Sequence, residues 1–329
     1  MPRLRYGSSD YDRLTGESVL DALLRQGVDL AYSCRKGSCL TCLLRCAKGQ
    51  IPPAAQDGLR LSLRAQGYFL ACLAVPEGEL ELADAADADL FGRARVVEIE
   101  RLAPAIVAVR LESATPLYYH PGQFINLRRG DGLMRSYSLA SVPRLEGRLE
   151  IHVKRLGGGA MSNWLNDEAR VGDTVDIQGA NGSGFYLPGL PDQPMLLIGN
   201  GTGLAPLYGI ARDALADGHR GEIRLYHGSR TTDGLYLREA LRGLAARFDN
   251  FSYSRCVSGP EPGPGDRAGR AEAVAFGELP HLSGWRVFLC GYPPMVEAAR
   301  RLAYLAGATL ADIHADAFEL RDLRKTPRG

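Results

Sequence analysis

Three cysteines, Cys34, Cys39 and Cys42, stand in the spacing C-x4-C-x2-C, and a fourth, Cys72, follows well downstream. No other feature constrains the fold as strongly. Four thiolates so spaced can converge on the two irons of a [2Fe–2S] cluster, three from one short loop and the last from a returning segment. Zinc sites prefer paired C-x2-C hooks instead. Seven cysteines in 329 residues do not read as a disulfide scaffold, which belongs to small, Cys-dense secreted chains. Cys46, Cys256 and Cys290 remain over. Cys46 lies near the loop, but the alternating run from Leu43 to Ala47 reads as a strand leaving it, so Cys46 is expected to be a buried thiol.

At about 100–200 residues per domain, the length calls for two or three domains, and three is the working number. Hydrophobic content of 45% and charged content of 23% are those of an ordinary globular protein. A net charge of +1 argues against a dedicated nucleic-acid surface. No apolar run reaches the roughly 18 residues of a membrane helix, and Met1 to Asp12 is polar, so a cytoplasmic location is expected.

Around the cysteines, Ser18 or Thr15 can cap a short helix carrying Val19, Leu20, Leu23 and Leu24, which Gly27 ends. Gly37 and Ser38 are small enough to let backbone N–H groups turn toward sulfur, where such bonds tune a cluster. A helical stretch beginning near Leu59 leads to an aromatic-rich strand, Gly67 to Cys72. The acidic, small-residue run Ala83 to Leu90 reads as a linker. The expected boundaries are 1–83 for the cysteine unit, 84–91 for the linker, 92–188 for a second unit, 189–320 for a third and 321–329 for a disordered basic tail.

Short strands at even spacing mark the second unit: Arg95 to Glu100, Ile106 to Leu111, Phe124 to Leu127, Leu149 to Lys154 and Thr174 to Gln178. They predict an antiparallel barrel. It carries Arg135-Ser136-Tyr137-Ser138 and the run Gly157-Gly158-Gly159-Ala160-Met161-Ser162, which enters a short helix whose free N–H groups suit a pyrophosphate. In the third unit the apolar run Met195 to Ile198 meets Gly199-Asn200-Gly201-Thr202-Gly203-Leu204-Ala205-Pro206 and then a helix. Further apolar strands alternate with helices, predicting a doubly wound parallel sheet. Cys290-Gly291-Tyr292-Pro293-Pro294-Met295 follows one of those strands.

The first segment resembles the plant-type ferredoxin domain, a β-grasp fold, in which Leu40 departs from the Gly that usually follows the second cysteine. R-x-Y-S paired with the glycine run resembles the FAD-binding domain of the ferredoxin–NADP reductase superfamily, and G-x-G-x-G-x-x-P with the Cys-Gly-Tyr-Pro turn resembles its NAD(P) domain. The expected fold class is thus multidomain α+β and α/β. The three modules in this order, over nearly the whole chain, resemble the NADH-dependent reductase components of bacterial multicomponent oxygenases. FAD is implied, because the related FMN-containing reductases carry the ferredoxin module at the other end.

The resemblance implies roles residue by residue. Cys34, Cys39, Cys42 and Cys72 ligate the cluster. Arg135 neutralises the flavin pyrophosphate, Tyr137 packs on the isoalloxazine, Ser138 lies near the reactive N5, and Gly159 and Ser162 hold phosphate. Ser136, His152, Val153, Lys154 and Met161 complete the flavin site. Gly201, Thr202, Gly203, Pro206, Arg230, Gly291 and Met295 form the nicotinamide-nucleotide site, with Cys290 beside the nicotinamide and Phe318 near the flavin. Ser138 and Cys290 are the catalytic candidates. Arg230 can bind a 2′-phosphate and Asp233 can repel it, and resemblance favours NADH.

The resemblance implies that hydride from NADH reaches FAD and that single electrons pass through the cluster to a terminal oxygenase, a ring-hydroxylating dioxygenase or related monooxygenase, or to an intermediate ferredoxin. Cys34 to Cys42 are expected to face that partner, with Arg35 and Lys36 steering it, and the flavin to approach from the Cys72 side or close to it. The alternatives are a non-enzymatic flavin/iron–sulfur redox sensor, which should carry an output module, and the same reductase serving sugar deoxygenation.

Overall fold

The computed structural model describes residues 3–318 except 33, 38, 60 and 85–89; the side chains of Leu61 and Ser62 are also outside the description. The expected tail at 321–329, most of the expected linker and the Ser38 N–H therefore lie outside the described residues.

The cysteine unit is a mixed sheet of β1 (Arg3–Tyr6), β2 (Ser9–Asp12), β3 (Leu43–Lys48), β4 (Tyr68–Leu70) and β5 (Leu80–Asp84), in the order β2-β1-β5-β3-β4. β1 pairs parallel with β5 and the remaining pairings are antiparallel. Helix α1 (Val19–Arg25) starts at Ser18, whose hydroxyl accepts from the Asp21 N–H at 3.1 Å, and it buries Val19, Leu20, Ala22 and Leu23 against the sheet. The short α2 (Leu61–Ala65) precedes β4, whose three residues are all buried.

The second sheet comprises β6 (Gly92–Ala103), β7 (Ile106–Ser113), β8 (Phe124–Arg128), β9 (Met134–Ser138), β10 (Leu149–Lys154) and β11 (Thr174–Asn181), ordered β10-β7-β6-β11-β8-β9 and antiparallel throughout. A bridge between Leu139 and Ile151 joins its two edges and closes it as a barrel. Alternation does the rest: Ile125, Leu127, Val107, Val109 and Ile151 point inward to one apolar core. After β10 the chain forms α3 (Ala160–Asn163).

The third sheet is wholly parallel, in the order β15-β14-β13-β12-β16-β17, with β12 (Met195–Asn200), β13 (Ile223–Ser229), β14 (Phe251–Val257), β15 (Arg267–Ala268), β16 (Arg286–Gly291) and β17 (Ile313–Ala317). β12 is central, and its continuous apolar run has the reason such runs always have: helices cover both faces. Leu197 packs in the core that includes Leu204, Leu207 and Ile210 of α4 (Leu204–Ala216) and Leu241 of α5 (Arg238–Arg247). Leu196 and Ile198 pack in the opposite core, with Ala275 of α6 (Ala271–Glu278) and Val296 and Ala299 of α7 (Pro293–Leu305).

Helix α4 also seals the barrel to this sheet. Arg144 reaches Asp213 at 2.8 Å and Asp217 at 2.7 Å, Arg212 pairs with Glu146, and a Cβ on Gly209 would come within 3.0 Å of the Ala140 carbonyl. The carboxyl ends of β12 and β16 are thereby held at the mouth of the barrel, where an open α/β sheet binds ligands.

Candidate active site

In the cysteine loop the backbone turns its N–H groups onto sulfur. Lys36 N and Cys39 N both donate to Cys34 Sγ at 3.4 Å, and Cys34 N donates to Cys39 Sγ at 3.4 Å. Gly37 N–H serves Cys72. The Cys39 thiol donates to Cys34, and with burial this raises its pKa; Cys42 donates to Cys72 with the same effect, which lowers that of Cys72. Cys39 also neighbours Cys42, and Cys34 neighbours Cys72. Four sulfurs in two adjacent pairs fit two irons with two thiolates each. Among the described residues, no three His, Cys, Asp or Glu side chains are gathered to hold a single metal ion. Cys46 turns away toward the carbonyl of Lys48 at 3.3 Å.

Leu40 is held at φ +55°, in the left-handed region that disfavours a side chain by about 1–2 kcal/mol. A glycine at that place would carry no such cost, which is a physical reason for the usual family residue. Leu40 offsets part of it by packing against the core of the cysteine unit.

A cavity of about 1100 Å³ opens where the three units meet. Single small-molecule sites span roughly 300–1,000 Å³, so this one lies at the large end of such sites. Arg135, Ser136, Tyr137 and Ser138 of β9 line it, as do His152 and Lys154 of β10 and Gly159, Met161 and Ser162 of the glycine loop. Gly201, Thr202, Arg230, Gly291, Met295 and Phe318 line it from the parallel sheet. Arg135, Lys154, Arg230 and Arg270 face it against the acids Glu272 and Asp316, a balance that suits pyrophosphates.

Close backbone approach shapes both nucleotide loops. A Cβ on Gly159 would meet Ser162 Oγ at 2.3 Å. A Cβ on Gly203 would meet the Cys290 carbonyl at 2.2 Å and one on Gly291 would meet Asn200 Oδ1 at 2.3 Å, while Asn200 Oδ1 accepts from Tyr292 N at 2.8 Å. The glycine turn after β12 and the Cys-Gly-Tyr-Pro turn after β16 are thus clasped as one surface.

Four expected site residues stand behind that surface. Val153 alternates with His152 and Lys154, so its side chain enters the barrel core. Gly203 is pressed against Cys290, Pro206 is buried in the first turn of α4, and Cys290 is 5% exposed at the end of β16. Burial, then the nearby Asp316, pushes the Cys290 thiol well up, so it is no thiolate base at neutral pH.

Two placements correct the sequence reading. Cys34 and Cys39 of the loop line the same cavity as the flavin motif, whereas Cys72 does not and only neighbours Cys34. Arg35 is paired with Asp21 at 3.0 Å and stacked over Tyr32 at 4.7 Å, which commits its charge inside the unit; Lys36 is exposed.

Asp316 was not legible as a site residue, although it lies two positions before Phe318, near the end of β17, and lines the same cavity. Ser138 Oγ donates to Asp316 Oδ2 at 3.3 Å, and Asp316 is the register partner of Cys290. Burial raises the Asp316 carboxyl to about 6, the bond from Ser138 offsetting only part. Folding therefore opposes its ionisation, and stability is lost as pH rises from the ordinary 3.8 through about 6. Asp316→Asn is expected to gain in melting temperature relative to wild type across that window and to hold the gain above it; a difference flat with pH would show that the burial cost lies elsewhere.

No helix among the described residues is long and apolar enough to cross a membrane. The chain matches the 2Fe-2S iron-sulfur cluster binding domain over residues 10–77, the oxidoreductase FAD-binding domain over 94–186 and the oxidoreductase NAD-binding domain over 197–301. It is 36% identical, over 92% of its length and 94% of the relative's, to the ferredoxin–NAD(P)+ reductase component of the naphthalene 1,2-dioxygenase/salicylate 5-hydroxylase systems of Ralstonia sp.. It is 39% identical over 89% of its length and 91% of the relative's to an aromatic O-demethylase reductase subunit of Amycolatopsis. The crystal structure of an Amycolatopsis cytochrome P450 reductase superposes with a TM-score of 0.69 at 36% identity, covering 97% of this chain and 99% of that one. With FAD, a nicotinamide nucleotide and a 2Fe–2S cluster as its cofactors, the chain belongs to the family of ferredoxin–NAD(P)+ reductase components of oxygenase systems.

Proposed function

We propose that this chain oxidises NADH in the cavity and delivers the electrons singly, through a cluster on Cys34, Cys39, Cys42 and Cys72, to a terminal oxygenase or an intermediate ferredoxin in the cytoplasm. The observation that carries this reading is that Cys34 and Cys39 share one cavity wall system with the flavin strand and both nucleotide turns. NADH gives two electrons as hydride and releases one proton overall, and the flavin, when bound, converts that pair into the single electrons a cluster accepts.

The chain's own residues supply position and charge. Arg135 and the backbone about Gly159 meet the flavin pyrophosphate, and Tyr137 presents its ring beside them. Ser138, oriented by its bond to Asp316, sets a hydroxyl where hydride arrives. Gly203 and Gly291 let the turns after β12 and β16 close on each other and form the floor for the dinucleotide, and Cys290 packs behind the nicotinamide as a neutral thiol. Half-exposed Cys72, with Val75 43% exposed nearby in sequence and Lys36 exposed on the loop, supplies the outlet for the acceptor.

Anaerobic mixing with NADH tests the reading: bleaching of the flavin followed by appearance of the reduced-cluster EPR signal is expected, with reoxidation by an aromatic-ring dioxygenase or monooxygenase. Flavin reduction without any cluster signal would overturn it.

A specific observation favours NADPH as a second donor. Arg230 and Arg270 line the cavity whereas Asp233 does not, so two cations stand there against the single nearby acid Glu272. Arg230→Ala is expected to lower kcat/KM for NADPH about tenfold to a hundredfold, the worth of one charge-assisted hydrogen bond, and for NADH little. Equal effects on both donors would remove Arg230 from 2′-phosphate recognition.

A further inference from the structure

On β8, Ile125 and Leu127 point into the barrel core, so Asn126 between them points out of the barrel. A polar residue on the outer face of a small barrel is ordinarily wet. Asn126 is 0% exposed, because the cysteine loop covers it. Its amide donates to the Cys39 carbonyl at 2.7 Å and to Gln178 Oε1 at 2.7 Å, and its oxygen accepts from Ser136 Oγ at 2.7 Å. Ser136 and Gln178 are its direct cross-strand neighbours on β9 and β11. Both amide hydrogens are therefore used, one within the barrel and one across to the cysteine unit.

We propose that Asn126 is a positioning residue that clamps the cysteine loop to the flavin-bearing strand β9 and so sets the distance from flavin to cluster. The inference rests on the reading of the cavity given above. Ser136 neighbours Arg135 and Tyr137 in the flavin motif, and Cys39 is a cluster ligand, so one buried side chain joins the two redox sites through their own strand and loop. A buried amide of this kind is demanding. Removing it leaves the Ser136 hydroxyl without its acceptor and the Cys39 carbonyl with only the long bond from Thr41 Oγ1 at 3.5 Å, and the favourable arrangement becomes a loosened one. Electron tunnelling falls exponentially with distance, so loosening acts on the flavin-to-cluster step, whereas hydride transfer to the flavin takes place within the barrel and parallel-sheet units.

The test is stopped-flow reduction by NADH of holoenzyme carrying Asn126→Leu. Flavin reduction is expected to stay within about twofold of wild type, while the following cluster reduction slows by about tenfold, the change that one buried hydrogen bond holding the docked arrangement corresponds to. Cluster content and EPR signal should be unchanged. In the cofactor-free variant, amide exchange at Cys39 and Leu40 should accelerate. Gln178→Leu disturbs the same polar row but keeps the bond to Cys39, so it is expected to leave the electron-transfer step near wild type. Should Asn126→Leu fold poorly, Asn126→Ser, too short to reach Cys39, is measured in its place with the same expected slowing. Cluster reduction as fast as wild type in the Asn126 variant, or equal slowing in Gln178→Leu, overturns the proposal. Absence of NADH-driven cluster reduction in wild type instead overturns the functional reading on which it rests.

Discussion

Holoenzyme carrying Cys39→Ser is expected to reduce its flavin with NADH at the wild-type rate and to lose electron delivery to cluster-dependent acceptors down to background. Cys39 is 6% exposed, pairs with Cys34 and receives the Cys34 N–H on its sulfur, so it is built into one half of a two-plus-two ligand set. A serine oxygen keeps the size but is a harder, poorer ligand for iron than thiolate. The flavin and nicotinamide turns belong to other sheets and keep their clasp between Asn200 and Tyr292. The measurement is a pair of steady-state assays, ferricyanide for electrons leaving the flavin and an iron–sulfur or haem protein for electrons leaving the cluster. Loss of both activities together would defeat the modular relay.

Arg135→Ala is expected to weaken FAD retention by about tenfold to a hundredfold, since hydrogen bonds to a charged partner contribute about 1.5–3 kcal/mol each. Arg135 lines the cavity, and its guanidinium donates to the Met134 carbonyl at 2.7 Å, which aims the side chain before any ligand arrives. Flavin occupancy after gel filtration, and titration of the stripped variant with FAD, check the effect. Full occupancy with wild-type affinity would remove Arg135 from pyrophosphate binding.

The two predictions draw on features of the same legibility. Cys39 could be named from spacing, because three ligands lie within one loop and their geometry is a property of a few consecutive residues. The same holds for Arg135 and Tyr137, and for the glycine turns that need close backbone approach. The parallel sheet was legible for a related reason: a continuous apolar run such as Met195 to Ile198 is stable only when covered on both faces. What misled was the orientation of whole units. The loop Cys34 to Cys42 was expected to face a partner, and while Lys36 is exposed, Cys34 and Cys39 line the flavin cavity. Arg35 was expected to steer docking, and its charge is paired with Asp21.

The residues that sequence reasoning missed are those whose role exists only through a distant neighbour. Asp316 meets Ser138 across 178 positions, and Asn126 meets Cys39 across 87. Neither carries a motif of its own: an aspartate on a terminal strand and an asparagine on the outer face of a barrel are both ordinarily solvated. Ligand spacing and turn chemistry are local, and the sequence by itself determined from them which cofactors the chain holds and in what order its modules run. The tertiary structure alone decided which cysteines share the cavity with the flavin motif, which carboxyl is desolvated against Ser138, and which amide is buried between units. Each of those follows from what one folded unit covers when it packs on another.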